Sequence, residues 1–379
     1  MDSCVALVKC ENYNQKDVDS AISKALSNVG GIKKYVKKGN RVLLKVNLLA
    51  PANPEDAVTT HPSVVRAMIR QIKKAGGIPH VGDCSGFEGQ KNRKKYLAIC
   101  QKTGISKVCK EEGAAIAHLS SKSSEVTNKN GKAFRQFSVS KEVIESDVLI
   151  SMPKLKTHGL TIFTGAIKNN FGCIPGLKKA KLHLRAPEAE LFAQMLVDLA
   201  GVIKPDLVVM DAIVGMEGAG PRNGKPKHIG AIIAGRDSVA VDAVASKIIG
   251  MSPFMIATTR LADEQGLGVG NIKKIKIIGE PIKKMCVKGF EFRKAPSSFF
   301  RAHFFLRFVR DLFLAKPVLV ADNCKSCMTC VKHCPARAIS KKSIIVFDYK
   351  KCIRCYCCQE LCPYNAIKLK TPLLGKLIS

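Results

Sequence analysis

The chain has 379 residues, and its 62 Lys and Arg against 30 Asp and Glu give a formal net charge of +32. That length holds two or three domains, and no run of eighteen apolar residues is present to cross a membrane. Such a charge calls for acidic partners or a solvated cationic surface. The lysines are spread along the whole chain without interleaved aromatics, and no helix-turn-helix, zinc-finger or RNP pattern accompanies them, so a nucleic-acid partner is not expected.

In chain order, Cys4–Cys10 reads as a strand, and Asp17–Val29 carries apolar residues at helical spacing before the stop at Gly30-Gly31. Arg41–Val46 is a short β-branched run. A helix opens at His61-Pro62-Ser63 and runs to Ala75, with Pro62 in its first turn. Gly76-Gly77 ends it, and Ile78–Gly82 is the next strand, so this unit predicts a parallel pair with a right-handed crossover. Further strands are predicted at Asp147–Ser151, Asp206–Met210 and Ile229–Ala234, and further helices at Glu188–Ile203 and Ser238–Ile249. Alternation of this kind predicts a layered α/β domain with a mainly parallel sheet over residues 1–285. Gly266-x-Gly268-x-Gly270 is no nucleotide loop, because the segment after it, Lys273–Ile277, reads as a strand.

Residues 286–318 differ in character. Between Lys288 and Lys316 stand eight phenylalanines and only two acids, Glu291 and Asp311. Ser298–Ala315 fits a cationic amphipathic helix. Such a helix either lies on a membrane surface or docks the C-terminal module onto the α/β domain. Arg301 interrupts its apolar stripe, which favours docking.

The C-terminal part, residues 319–379, holds Cys324-x2-Cys327-x2-Cys330-x3-Cys334-Pro335 and then Cys352-x2-Cys355-x2-Cys358-x3-Cys362-Pro363, repeating with a period of 28. This spacing, twice over, is that of bacterial ferredoxins and predicts two [4Fe–4S] clusters in a small α+β fold. Three close thiolates hold three irons of one cubane, and the distant cysteine of the other run takes the fourth. Cys324, Cys327, Cys330 and Cys362 are therefore expected to hold one cluster, and Cys352, Cys355, Cys358 and Cys334 the other. A zinc ribbon would need two pairs separated by a long spacer. A disulfide framework does not fit either. Met1–Val5 lacks the basic start and apolar core of a secretion signal, so the sixteen cysteines imply a reducing, cytoplasmic setting. Cys357 is out of phase with the repeat and is read as a bystander.

The N-terminal domain carries Lys45-Val46-Asn47-Leu48, Thr60-His61-Pro62, Gly82-Asp83, Pro153–His158, Gly165–Asn169 with Phe171-Gly172-Cys173, Asp211–Gly218 and Ala240–Ala243. In these motifs it resembles the DUF362 family, proteins of unassigned reaction often fused to a ferredoxin module. Each of the charged motifs follows a predicted strand at its carboxyl end, where open sheets bind ligands. Lys45, Asn47, Asp83, Lys168, Asn169, Asp211 and Glu217 are candidate substrate contacts. Lys154, Lys156, His61 and His158 are candidate catalytic groups, since imidazole titrates near neutral pH. The lysines would suit a carboxylate or phosphate. The histidines with Asp83 or Asp211 could also hold a metal, and each could equally be a helix cap or a satisfied loop residue.

The expected function is a ferredoxin-linked oxidoreductase passing electrons from the clusters to an anionic substrate in the α/β crevice. The alternative is a non-catalytic electron carrier or adaptor docking a partner enzyme. Between Ala321 and Lys370 ten Lys and Arg face only Asp322, Asp348 and Glu360. Cationic surroundings favour an acidic electron donor, such as a ferredoxin or flavodoxin.

Overall fold

The computed structural model describes residues 3–85, 92–292 and 314–373. One large sheet runs through the N-terminal domain in the order Ile275–Gly279, Ser3–Lys9, Lys225–Gly235, Leu207–Glu217, Val148–Ser151, Arg41–Lys45, Ile78–Asp83, Ala115–His118. From Leu207–Glu217 to Ala115–His118 every pairing is parallel, and only the neighbours of Lys225–Gly235 are antiparallel to it. Two short strands, Lys154–His158 and Ile162–Thr164, extend the sheet off this path, beside Leu207–Glu217. The mainly parallel α/β architecture is the one expected from the alternation of strand and helix patterns.

The layers follow from alternation along the strands. Val42 and Leu44 pack with Val18, Ile22, Val65 and Met68 of the helices Gln15–Asn28 and Pro62–Lys74. Leu43, between them, packs with Phe192 and Leu196 of the helix Ala189–Ala200 on the other face. Each such buried aliphatic contributes about 1.5–3 kcal/mol, and Leu43→Ala would cost about 2–5 kcal/mol. The helices are closed by side chains. Asn14 accepts from the Lys16 N–H, His61 from Ser63, and Asp237 from Val239 and Ala240.

Two segments differ from the sequence reading. The strand expected to stop at Met210 continues to Glu217 and forms a long hairpin with Lys225–Gly235, kinked by a register shift between Ala212 and Val214. Its small residues read as a loop, but they pair across the hairpin. Lys154–His158, expected only to follow the strand ending at Ser151, is itself a strand. Its Lys-Leu-Lys-Thr-His pattern has period 2, with polar residues facing inward.

The C-terminal module repeats its backbone with the period of its cysteines. Ser326, Met328 and Arg337 have positive φ, and so do Arg354, Tyr356 and Asn365, each 28 residues on. Lys316–Leu319 pairs with Ile367–Lys370, and Ile339–Lys341 pairs with Ile345–Phe347. The module's sheet thus begins at Lys316, inside the stretch that composition assigns to the linker. Most of the amphipathic segment expected at 298–315 lies outside the described residues.

Candidate functional site: a lysine-rich crevice beneath an iron–sulfur module

Lys45 is the last residue of its strand and Asp83 the last of the neighbouring one, so the parallel register brings them together. Their side chains form a buried ion pair at 2.9 Å. Asn169 ties this corner to the next strand. Its Oδ1 accepts from Lys45 Nζ at 3.1 Å, and its Nδ2 donates to the Lys45 carbonyl and to Ser151 Oγ. Gly172 lies so close that an added Cβ would meet Lys45 Nζ at 2.5 Å and Asp83 Oδ1 at 2.2 Å. Only glycine fits there.

The strand Lys154–His158 presents Lys154, Lys156 and His158 on one face, with Leu155 in the core on the other. These three polar side chains meet different partners. Lys154 Nζ pairs with Asp211 Oδ2 at 2.8 Å and donates to the Tyr13 hydroxyl at 2.6 Å. Tyr13 donates to Asp211 Oδ1 at 2.9 Å and stacks on His61 with centroids 3.6 Å apart. Burial lowers the pKa of Lys154 despite Asp211 and pushes that of Tyr13 well up. His61 caps its helix through Nδ1, and its own N–H donates to Asp211 Oδ2. Burial pulls its pKa to about 4, so the ring is neutral.

Lys156 is the exception among these lysines. It is 1% exposed, yet among the described residues no carboxylate lies within ion-pair distance. Its Nζ donates to Asn47 Oδ1 at 2.8 Å and to the Val58 carbonyl at 2.7 Å. Burial, reinforced by Lys168 and Lys154, drives its pKa well below the ordinary lysine value. An ammonium has three N–H groups, and among the described residues these two acceptors match only two of them.

His158 reaches across to the module. Its Nδ1 accepts from the N–H groups of Leu160 and Thr161, at 3.0 and 3.2 Å. The proton is therefore on Nε2, which lies 2.9 Å from Glu360 Oε1. Burial lowers the His158 pKa, in line with a neutral ring. Glu360 sits between Cys358 and Cys362 and is mostly buried. Lys168 and His183 act on the same carboxylate through space. Lys168 has its pKa lowered by burial, and its side chain makes no hydrogen bond among the described residues. His183, pulled to about 4 by burial, stacks on Phe192.

The structure thus brings Lys45, Asn47, Asp83, Lys154, Lys156, His61, Asn169 and Asp211 into one linked set, with His158 and Lys168 at the edge facing the module. Glu217 is not joined to it. Its carboxylate accepts from the Glu291 N–H at 2.9 Å, on the far end of the long hairpin. Two participants were not singled out from sequence, Tyr13 and Glu360. Tyr13 lies in no motif and Glu360 is a spacer residue within the second cysteine run, so only tertiary contact reveals their roles.

The loop after the long strand holds the module. Gln359 Nε2 donates to the Ala219 carbonyl, Asn223 Nδ2 to the Gln359 carbonyl and Arg222 Nη1 to the Leu361 carbonyl. Tyr356 and Leu369 pack in the same apolar cluster as Leu160.

Within the module two cavities lie open, each of about 330 Å3 including the space at its mouth. One is lined by Cys324, Cys327, Cys330 and Cys362, the other by Cys334, Cys352, Cys355 and Cys358. Among the described residues no three His, Cys, Asp or Glu converge on a single metal ion. Four thiols around a cavity suit a cluster better than one ion. The Ala338 and Ala366 N–H groups donate to Cys334 Sγ and Cys362 Sγ, at 3.2 and 3.3 Å. Such N–H donors stabilise thiolate charge.

Fold and site together define an α/β protein joined to a ferredoxin-type iron–sulfur domain, equipped for electron transfer. The family described as a 4Fe-4S dicluster domain matches residues 316–363, and the one described as domain of unknown function (DUF362) matches residues 42–247. The chain belongs to the DUF362 family. A thylakoid-associated protein, sll1697, of Synechocystis sp. is 34% identical over 271 residues, covering 70% of this chain and 81% of the relative. Among solved structures, the lactate racemase apoprotein from Thermoanaerobacterium thermosaccharolyticum is similar at 13% identity and a TM-score of 0.40, over 63% of this chain. A Thermotoga maritima structural-genomics protein gives 13% and 0.39, over 68% of this chain. The chain spans 55% and 60% of those two structures, and likeness at this level carries no functional argument. Among the described residues no helix is long and apolar enough to cross a membrane.

Proposed function

We propose that this protein is a ferredoxin-linked oxidoreductase that binds two [4Fe–4S] clusters and delivers electrons to an anionic substrate in the crevice of its α/β domain. One observation carries the reading. The second half of the module is docked on the crevice through His158 and Glu360, 2.9 Å apart, beside the cavity of Cys352, Cys355, Cys358 and Cys334. When bound, each cluster supplies a one-electron carrier. In this reading Cys324, Cys327, Cys330 and Cys362 hold the outer cluster and the other four cysteines the inner one. Lys156, Lys168 and His158 bind and orient the substrate anion. Lys45 and Lys154, fixed by Asp83 and Asp211, keep the strand ends in register. The parts are an α/β domain over 1–285, a linker over 286–318 and an iron–sulfur module over 319–379, with its first strand reaching back to Lys316. An acidic ferredoxin or flavodoxin is the electron donor, and the setting is the reducing cytoplasm.

The experiment is anaerobic purification, reduction by an acidic ferredoxin, and mass spectrometry of small acids before and after turnover. A two-electron change in one anion, lost in Lys156→Met, supports the proposal. A second reading, a non-catalytic carrier or adaptor, is favoured by the closure of the crevice, where Lys156 and His158 are 1% and 3% exposed. That reading predicts normal reduction with no anion consumed.

A further inference from the structure

The basic edge of the crevice that faces the module is met by an acid from the protein's own iron–sulfur module. Glu360 is one of only three acids between Ala321 and Lys370, against ten bases. Its counterpart in the first half of the 28-residue repeat is Lys332, which is exposed. The repeat thus reverses charge at the one position that enters the crevice. There the Glu360 carboxylate meets His158 Nε2 at 2.9 Å and lies in the field of Lys168 and His183. Lys156, two residues from His158 on the same face of its strand, has no carboxylate of its own. These are the contacts a free carboxylate would seek: an N–H donor, a nearby ammonium and a buried amine.

We propose that the His158–Lys168–Lys156 corner is a carboxylate-binding site that the chain closes on itself, with Glu360 standing where the carboxylate of a small ligand binds. Module docking and ligand entry are then alternatives. This rests on the proposed crevice function and adds the ligand class and its competitor. Closure follows from the contact itself, because with the module docked His158 Nε2 faces Glu360 at 2.9 Å and offers no donor to a ligand. Among the described residues, opening would break the Glu360 pair, three hydrogen bonds between the 219–223 loop and residues 359–361, and an apolar contact of Tyr356 and Leu369. Affinity for the ligand is reduced by the fraction of molecules that are closed. By linkage, the ligand must loosen the module to the same degree.

The test uses the anaerobically purified full chain with its clusters, and malonate as probe, with chloride as the control anion. Three proteins are titrated calorimetrically: wild type, Glu360→Gln, and Asn223→Ala, which weakens docking without touching crevice or cysteines. Iron content and the visible spectrum confirm that each keeps its clusters. The expected result is malonate binding at least about tenfold tighter in both variants than in wild type. Malonate should also speed limited tryptic release of the module from wild type, and chloride should not. Equal malonate affinity in all three proteins, with no effect on proteolysis, overturns self-closure and leaves the crevice reading standing. No malonate binding in any of them overturns the site itself, and with it the carboxylate form of the crevice reading.

Discussion

The two halves of the iron–sulfur module share a backbone and differ in what surrounds it. Residues 326–333 of the first half are exposed or partly exposed, whereas most of residues 354–361 are buried. Where the first half has Ser326, Met328, Thr329, Val331 and Lys332, the second has Arg354, Tyr356, Cys357, Gln359 and Glu360. Arg354 donates to the Leu314 and Ala315 carbonyls, and Tyr356 donates to that of Ala315. Gln359 and Glu360 dock on the α/β domain. The cysteines are the constant part of the repeat, and the residues between them decide which half stays exposed and which is docked on the α/β domain. A duplicated motif can therefore hold two like centres and still have direction.

The largest effect expected is on iron content. Wild type should carry about eight irons per chain, and Cys330→Ser or Cys358→Ser about four. Cys357→Ala should leave about eight, because Cys357 lines neither cavity. Loss of iron in Cys357→Ala would break the equivalence of the two halves.

A second prediction separates the lysines of one strand by stability. Lys154→Met leaves Asp211 buried without its partner and should cost about 3–5 kcal/mol in chemical denaturation. Lys156→Met removes an amine with no counter-charge but leaves the Asn47 and Val58 acceptors unmatched, and should cost about 1–3 kcal/mol, less than Lys154→Met. Equal losses in the two would mean that Lys156 has a carboxylate partner after all.

A third concerns pH. Burial holds the pKa of His61 and His183 at about 4, below the roughly 6.5 of an unfolded histidine. The unfolded chain then binds more protons across that window. The contribution is complete above about pH 6.5 and is lost as the pH falls toward 4, amounting to a few kcal/mol at most. His61→Asn keeps a side-chain cap and should flatten the fall in urea midpoint between pH 6.5 and 5. An unchanged slope would contradict the neutral ring.

The same contrast governs what was legible in the sequence. The cysteine pattern could be read because cluster motifs are local, written in short fixed spacings. The two four-cysteine cavities have the crossed membership that the spacing implies. The parallel sheet was legible through β-branched runs such as Arg41–Val46. The crevice was legible only as strand ends carrying Lys45, Asp83 and Lys154. Tyr13 stands in a loop before a helix, and only tertiary packing brings it to Asp211. Glu360 reads as one more charge between two cysteines, and nothing near it in sequence points to His158. Lys154–His158 has the alternation of a strand, but with its polar side turned inward it is not read as one.

The direction of the module, donor at the first half and crevice at the second, is the central claim, and stopped-flow reduction by an acidic ferredoxin tests it most directly. Lys325 and Lys332 are exposed on the first half. Lys325→Glu with Lys332→Glu should slow reduction about tenfold or more at low ionic strength, and the difference should fade as salt screens the encounter. The iron content should be unchanged. A doubly substituted protein reduced as fast as wild type at low salt would contradict the account.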